Sequence, residues 1–324
     1  MATGPALNSI LGLHHITAIA GDPQRNLDFY TGVLGLRLVK LTVNFDDPGA
    51  YHLYYGNEAG QPGTILTFFS WPGAPAGRRG TQQATTVSFS VPARALSYWL
   101  ERFKMHAAAF EQLVERFDEE ALAFFDPDGL RLELVADANA DARSPWIAGP
   151  IPPEYAIRGF HSVTLSVQPA EQTIALLTQA LGFRPVHAYG ERLRHEVGPG
   201  LGGALIDVLP LAHQRPGRVS VGTVHHVAWR TPNDEQQVEW RQTMARLGYN
   251  VTPIMDRTYF HSIYFREPGG VLFEIATDTP GFTVDQPLAE LGTRLMLPAW
   301  LESDRARIER ALPTIHLPQV VQSA

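Results

Sequence analysis

Residues 13–40, LHHITAIAGDPQRNLDFYTGVLGLRLVK, decide the fold. The segment opens on an apolar run that reads as a strand and turns at Gly21-Asp22-Pro23. Leu27, Tyr30, Val33 and Leu34 then fall at helical spacing, and Gly35 stands where a helix would stop. Strand-rich sequence follows in YHLYYGN (51–57) and GTILTFFS (63–70). The same order returns in TTVSFSVPARALSYWLERF (85–103), which is completed by AFFDPDGLRLELVAD (123–137). It returns again in GFHSVTLSVQPAEQTIALLTQALGFRPV (159–186), with Gly182 as the stop and GGALIDVLP (202–210) at the end. A fourth copy runs through TVHHVAWRTPNDEQQVEWRQTMARLGYNV (223–251), TYFHSIYF (258–265) and EPGGVLFEIATD (267–278). Four recurrences of strand, helix, glycine and closing strands predict an α+β chain of four βαβββ modules.

Residues 136–159, ADANADARSPWIAGPIPPEYAIRG, are rich in Ala, Asp and Pro and read as the linker. The expected organisation is an N-terminal domain of two modules (1–150), a C-terminal domain of two modules (151–290) and a tail (291–324). The tail carries one short charged helix near 302–312, expected to pack across the surface or over a cavity mouth.

Bulk composition narrows the function. The 324 residues are 44% hydrophobic and carry a formal charge of −7. No basic run exceeds RPGR (215–218), so a nucleic-acid partner is not expected. There is no cysteine, which removes thiolate metal sites, iron–sulfur clusters and cysteine nucleophiles. No apolar run reaches the roughly 18 residues of a membrane span. The N-terminal residues lack a basic region before a cleavage signal, and the expected location is the cytoplasm.

Equivalent positions in the four copies isolate the chemistry. The first strands read HHIT (14–17), TTVS (85–88), FHSV (160–163) and HHVA (225–228). The second slot is therefore His15, Thr86, Ser162 and His226, and the closing strands offer Thr67, Glu133, Asp207 and Glu274. Strict strand alternation places His15 with Thr17 on one face and His14 with Ile16 and Ala18 on the other. If the first and fourth modules are neighbours, His15, His226 and Glu274 share a cavity. Two imidazoles and a carboxylate make the facial arrangement of non-haem Fe(II) oxygenases, which leaves positions open for substrate and O2. A buried Glu274 must be protonated, paired or metal-bound. Glu133 has the same position without a histidine, so the second cavity reads as a duplicate with a structural role. Asp207 is expected to be paired there or exposed. Arg257, Tyr259, His261 and Tyr264 precede the Glu274 strand. Arg257 either stabilises an anionic oxygen or pairs with Asp256 or another acid. His225 is either a proton shuttle or a core histidine. Trp229 reads as core, and Tyr259 and Phe260 as candidate lining.

These residues resemble the vicinal oxygen chelate (glyoxalase/extradiol dioxygenase) superfamily. Within it, LHHIT, YHLYYGN, PGT, GFHS, the second His pair and GGVLFE are most similar to hydroquinone-type ring-cleaving dioxygenases, the chlorohydroquinone dioxygenase group. The resemblance implies four modules closing into two barrel-like domains. It implies Fe(II), or Mn(II) in some members, on His15, His226 and Glu274, and supporting roles for Thr17, His225, Arg257 and Tyr264. The implied activity is an extradiol-type ring cleavage of an aromatic diol by O2. Catechol enzymes of the superfamily take both histidines from the C-terminal half, which here would substitute His161 for His15. A catechol dioxygenase, a glyoxalase-type isomerase or lyase, and a metal-free binding protein are the competing readings, and a homo-oligomer stays open. Thr67 counts against the isomerase, which would use another carboxylate.

Overall fold

The computed structural model describes residues 10–198, 202–211 and 214–317. The first module comprises β1 (Leu13–Ala20), α1 (Pro23–Leu27), β2 (Arg37–Asn44), β3 (Asp47–Gly56) and β4 (Ile65–Ser70). The second comprises β5 (Gln83–Val91), α2 (Leu96–Met105), β6 (Val114–Arg116), β7 (Glu119–Phe125) and β8 (Arg131–Ala136). The third comprises β9 (Phe160–Val167), α3 (Ala170–Gln179), β10 (Arg184–Tyr189), β11 (Arg192–Glu196) and β12 (Leu205–Pro210). The fourth comprises β13 (Thr223–Thr231), α4 (Asp234–Arg246), β14 (Met255–Asp256), β15 (Phe260–Arg266) and β16 (Leu272–Pro280). The repeat read from the sequence is thus present in all four copies.

The modules pair first with fourth and second with third. One curled eight-stranded sheet runs β14-β15-β16-β13-β1-β4-β3-β2, the other β10-β11-β12-β9-β5-β8-β7-β6. The two halves of the chain are therefore interleaved, because each sheet takes one module from residues 1–150 and one from 151–290. The antiparallel seams are β1 with β13 and β5 with β9. The sheets are tied together where Leu13 N–H donates to the Gly203 carbonyl (2.8 Å) and Phe160 N–H donates to that of Gly63 (2.8 Å). RPGR belongs to a connecting segment that pairs with another, Arg78 and Arg218 exchanging backbone bonds of 3.0 and 2.8 Å. The Ala/Pro-rich linker is not a free tether: Ala140, Ile151, Ala156 and Ile157 are buried. Ile151 lies so close to Gly35 (φ +67°) that a Cβ there would sit 2.3 Å from it. Gly35 is thus required twice, as the helix stop and for this contact.

Alternation sorts the strands into two cores. Ile16, Leu66, Phe68, Val227, Trp229 and Ile275 face the main core with the helices, whose buried faces include Leu96, Trp99 and Phe103 on α2 and Trp240 and Met244 on α4. The opposite, inner face of the first sheet carries Val39, Tyr54, Ile65, Ala228 and Tyr259, capped by Phe282 and Leu291 from the chain after β16. The first helix differs from its expected regular form. It has α geometry over Pro23–Leu27 and widens to a π-helical turn over Asp28–Val33. The extra residue per turn buries Phe29 and leaves Val33 partly exposed.

Candidate metal centre

Register brings the three predicted ligands together. β1 pairs with β13 with Thr17 opposite His226 and His15 opposite Ala228, and β16 sets Glu274 beside Ala228. His15 Nε2, His226 Nε2 and Glu274 Oε2 stand 3.0–3.3 Å apart: 3.3 Å between the imidazoles, 3.3 Å from His15 to Glu274 and 3.0 Å from His226 to Glu274. All three side chains are buried.

Strict alternation fails at the first histidine of each pair, and the failure explains the pairs. The β1–β13 register skips His14 between Leu13 and His15, and skips His225 between Val224 and His226. Both residues therefore sit at bulges, which re-aim a side chain that regular pleating would point into the main core. The β5–β9 seam skips Thr85 and His161 in the same way. Each bulged histidine turns onto its neighbour, His14 Nδ1 lying 2.9 Å from His15 Nδ1 and His225 Nδ1 lying 2.8 Å from His226 Nδ1. His14 Nε2–H donates to the Thr277 carbonyl (3.0 Å), so its bare Nδ1 accepts from His15 Nδ1–H. That leaves the lone pair of His15 Nε2 turned to the cluster. Burial, with the neighbouring imidazole, lowers both His14 and His225 to about 3, so both stay neutral.

The donor set suits a divalent cation. Ser262 Oγ–H donates to Glu274 Oε1 (2.5 Å), while the buried Oε2 has no hydrogen-bond donor. Two imidazole lone pairs and an orphaned carboxylate oxygen need a positive charge between them, which a metal ion supplies. His15, His226 and Glu274 are the one such group among the described residues, their ligand atoms lying within 4.8 Å of one another.

A hollow of about 30 Å³ opens beside the cluster. Thr17, His52, Tyr54 and Tyr264 line it with polar groups, and Phe69 and Phe260 flank it. Tyr264 lies against His226, with ring centroids 5.7 Å apart. Arg257 Nε–H reaches the Tyr264 hydroxyl (3.3 Å), and its outer nitrogen pairs with Asp46 (3.1 Å) on the β2–β3 turn rather than with Asp256. Asn44, Phe45 and Asp46 form that side of the mouth. Thr17 Oγ1 meets Thr67 Oγ1 at 2.8 Å.

Other candidates lie elsewhere. His161 is in the second sheet, 2.9 Å from Glu119, and does not meet the cluster. His261 pairs with Asp234 (2.6 Å), Trp229 is in the main core, and Tyr259 packs under the tail against Phe282. Sequence reasoning missed His52, Tyr54 and Ser262. Their signal was weak, because β3 and β15 were read as plain strands without asking which residue faces the closing-strand slot.

In the second sheet that slot holds salt bridges. Glu133 pairs with Arg116 and with Arg131 (2.6 Å). Asp207 is buried and paired with Arg194 (2.8 Å) and Arg192 (3.1 Å), and Arg194 also bonds Glu119 (2.6 Å). A wider hollow of about 390 Å³ near Phe117 and Tyr189 has no ligand set.

The family model for the Glyoxalase/Bleomycin resistance protein/Dioxygenase superfamily matches residues 12–134 and 159–275. The chain is 46% identical over 303 residues to Putative ring-cleaving dioxygenase MhqO of Bacillus subtilis, covering 93% of this chain and 96% of that one. It is 36% identical over 309 residues to Chlorohydroquinone/hydroquinone 1,2-dioxygenase of Sphingobium indicum, with 93% and 95% covered. A crystal structure of a Bacillus subtilis protein described as a putative dioxygenase superposes with a TM-score of 0.92 at 45% identity, covering 96% of this chain and 99% of that one. Glyoxalase I from Zea mays shares the fold alone, with a TM-score of 0.61 at 15% identity over 83% of this chain and 92% of that one. The module repeat, the two curled sheets and these matches make the chain a member of the Glyoxalase/Bleomycin resistance protein/Dioxygenase superfamily.

Proposed function

We propose that this protein is a ring-cleaving dioxygenase acting on a hydroquinone-type diol, with Fe(II) held by His15, His226 and Glu274. The observation that carries the reading is the fourth slot. Where Glu274 faces the cluster from β16, the matching position on β4 is Thr67, too short to close the site with another carboxylate. Three ligands on one face then leave neighbouring positions free, which the isomerase reading would not require. When bound, the metal supplies redox chemistry that lets the aromatic ring react with O2.

The chain's own residues orient and shield. His14 and His225 aim the two imidazoles. Phe69 and Phe260 flank the slot with apolar surface. Burial and Glu274 push the Tyr264 phenol up, so it keeps its proton and presents a donor. Arg257, within reach of that phenol, stabilises anionic oxygen. The Asn44–Asp46 turn and Arg257 line the same hollow.

The test is oxygen uptake by anaerobically Fe(II)-loaded protein given hydroquinone, methylhydroquinone, chlorohydroquinone and catechol in parallel. Expected is uptake with the hydroquinones well above catechol, a ring-opened product, and loss of both in Glu274→Ala. Uptake only with catechol overturns the substrate class, and silence with all four despite bound iron overturns the reaction.

A further inference from the structure

Tyr54, His52 and Thr67 continue from the metal centre in a line that no role above uses. Tyr54 Oη meets His52 Nδ1 (2.9 Å), His52 Nε2 meets Thr67 Oγ1 (2.8 Å), and Thr67 Oγ1 meets Thr17 Oγ1 (2.8 Å). The sheet's internal symmetry marks the line as the counterpart of a ligand. Tyr54 pairs with Thr67 on β4 as Tyr264 pairs with Glu274 on β16. Two residues earlier, His52 matches Ser262, the hydroxyl that holds Glu274. Where the fourth module has a serine supporting a ligand, the first has a histidine supporting a hydroxyl.

The direction of the line follows from satisfying each buried group. Tyr54 is 2% exposed and its phenol has His52 as its partner, so its O–H donates to Nδ1. Burial raises this phenol well above its usual range and lowers His52 well below its own, so the tyrosine keeps its proton and the imidazole stays neutral. A neutral imidazole that accepts at Nδ1 carries its hydrogen on Nε2, which donates to Thr67. Thr67, fully buried, has Thr17 left to receive its own hydrogen. Thr17 is then an acceptor from Thr67 with its O–H unspent. It is also fully buried, lies two residues from His15 on the inner face of β1, and lines the hollow at the cluster.

We propose that Tyr54, His52 and Thr67 form a one-way hydrogen-bond relay that fixes Thr17 as a donor to the diol oxygen held at the triad, with His52 as the positioning residue. The relay rests on the hydroquinone reading for the identity of that oxygen. Its polarity does not depend on metal or turnover. A donor aimed at the site favours a deprotonated hydroxyl over a carbonyl or an apolar group, so the relay selects phenol-type substrates.

Two measurements test it. The first is nitrogen-15 NMR of the histidine-labelled, metal-free chain. His52 should be protonated at Nε2 and bare at Nδ1, and Tyr54→Phe should abolish that preference. The second is anaerobic binding of hydroquinone to Zn(II)-loaded protein, where no turnover occurs. Thr67→Val and His52→Leu should weaken binding about 10- to 100-fold, the usual effect of a hydrogen bond to a charged group. Bound zinc should stay at the wild-type level, and Tm should fall in His52→Leu, which strands the buried Tyr54 hydroxyl. His52→Gln, whose amide still donates to Thr67, should bind hydroquinone close to wild type. An Nδ1–H tautomer in the wild type, or wild-type binding by Thr67→Val, overturns the relay. So does the absence of hydroquinone binding to the wild type. If both measurements come out as stated while Fe(II)-loaded protein takes up no O2, the relay stands and the ring-cleavage reading falls.

Discussion

Thr67 decides how many ligands a metal meets. It stands beside Thr17 as Glu274 stands beside Ala228, and it is fully buried. Thr67→Glu would aim another carboxylate at His15 and His226 and convert an open site into a closed one. The variant should hold its metal through a chelator treatment that strips the wild type, and its oxygen uptake should fall about 100-fold or more, as expected when a catalytic position is filled. Retained uptake would mean that this slot does not face the metal. At this scale the sequence was legible where copies could be compared. His15 and His226 stood out because Thr86 and Ser162 occupy their equivalents, and Glu274 because, unlike Glu133 and Asp207, it closes a module that carries such a histidine. The re-aiming of His14 and His225 was not legible, because a bulge is set by the pairing of two strands more than 200 residues apart and leaves no local pattern.

The tail shows the same limit for an element. Its helix was expected near 302–312, and a 3₁₀ turn over Ala299–Asp304 leads into α5 (Arg305–Ala311). Prolines on either side and the charge pattern made it readable. The docking of the segment that leads into it, residues 281–290, was not, because the partners lie far upstream. Lys40 on β2 is fully buried, and its Nζ donates to Asp285 Oδ1 (2.5 Å), Gln286 Oε1 (2.7 Å) and the Phe282 carbonyl (3.2 Å). Phe282 packs between Tyr54 and Tyr259, so the segment after β16 caps the inner face of the first sheet as a strap. Asp285→Ala leaves a buried ammonium without its counter-charge. Breaking a fully buried pair costs about 3–5 kcal/mol, and the partial exposure of Asp285 reduces that to about 2–3 kcal/mol. Urea denaturation should show this loss, and adding Lys40→Met should restore most of it. If the double variant is no more stable than Asp285→Ala, the strap is held by Phe282 and Leu291 packing and not by the ion pair.

Across the whole molecule the two sheets are the same device with different centres. One gathers lone pairs around a gap suited to a cation, and the other fills the equivalent space with arginines. The repeat made four modules legible, and the absence of histidine beside Glu133 set the second centre apart from the first. The two His pairs pointed to the first and fourth modules as partners, as the first sheet has them, whereas the linker's composition is compatible with either arrangement. The arginine centre has a consequence for acid stability. Burial pushes Glu133 up, but Arg116 and Arg131 bring it down to about 2; Glu119 reaches about 2 in the same way through His161 and Arg194. A carboxyl whose folded value is depressed stabilises the fold above its unfolded value of about 4.5, and that contribution disappears as pH falls towards 2. Glu133→Gln leaves the buried Arg116 guanidinium short of its anion and the half-buried Arg131 with Glu111, and should cost about 3 kcal/mol at pH 7. Followed by urea denaturation, the gap between wild type and variant should hold from pH 7 to about 5 and narrow from about 4.5 towards 2, where the unfolded wild-type chain binds a proton that the folded carboxylate still refuses. A gap independent of pH would assign the loss to packing and geometry at Glu133 rather than to its charge. Arg131 would then be held by Glu111, as Arg192 and Arg194 are held by Asp207 and Glu119, and the second centre would have no electrostatic need for the carboxylate that it shares with the first.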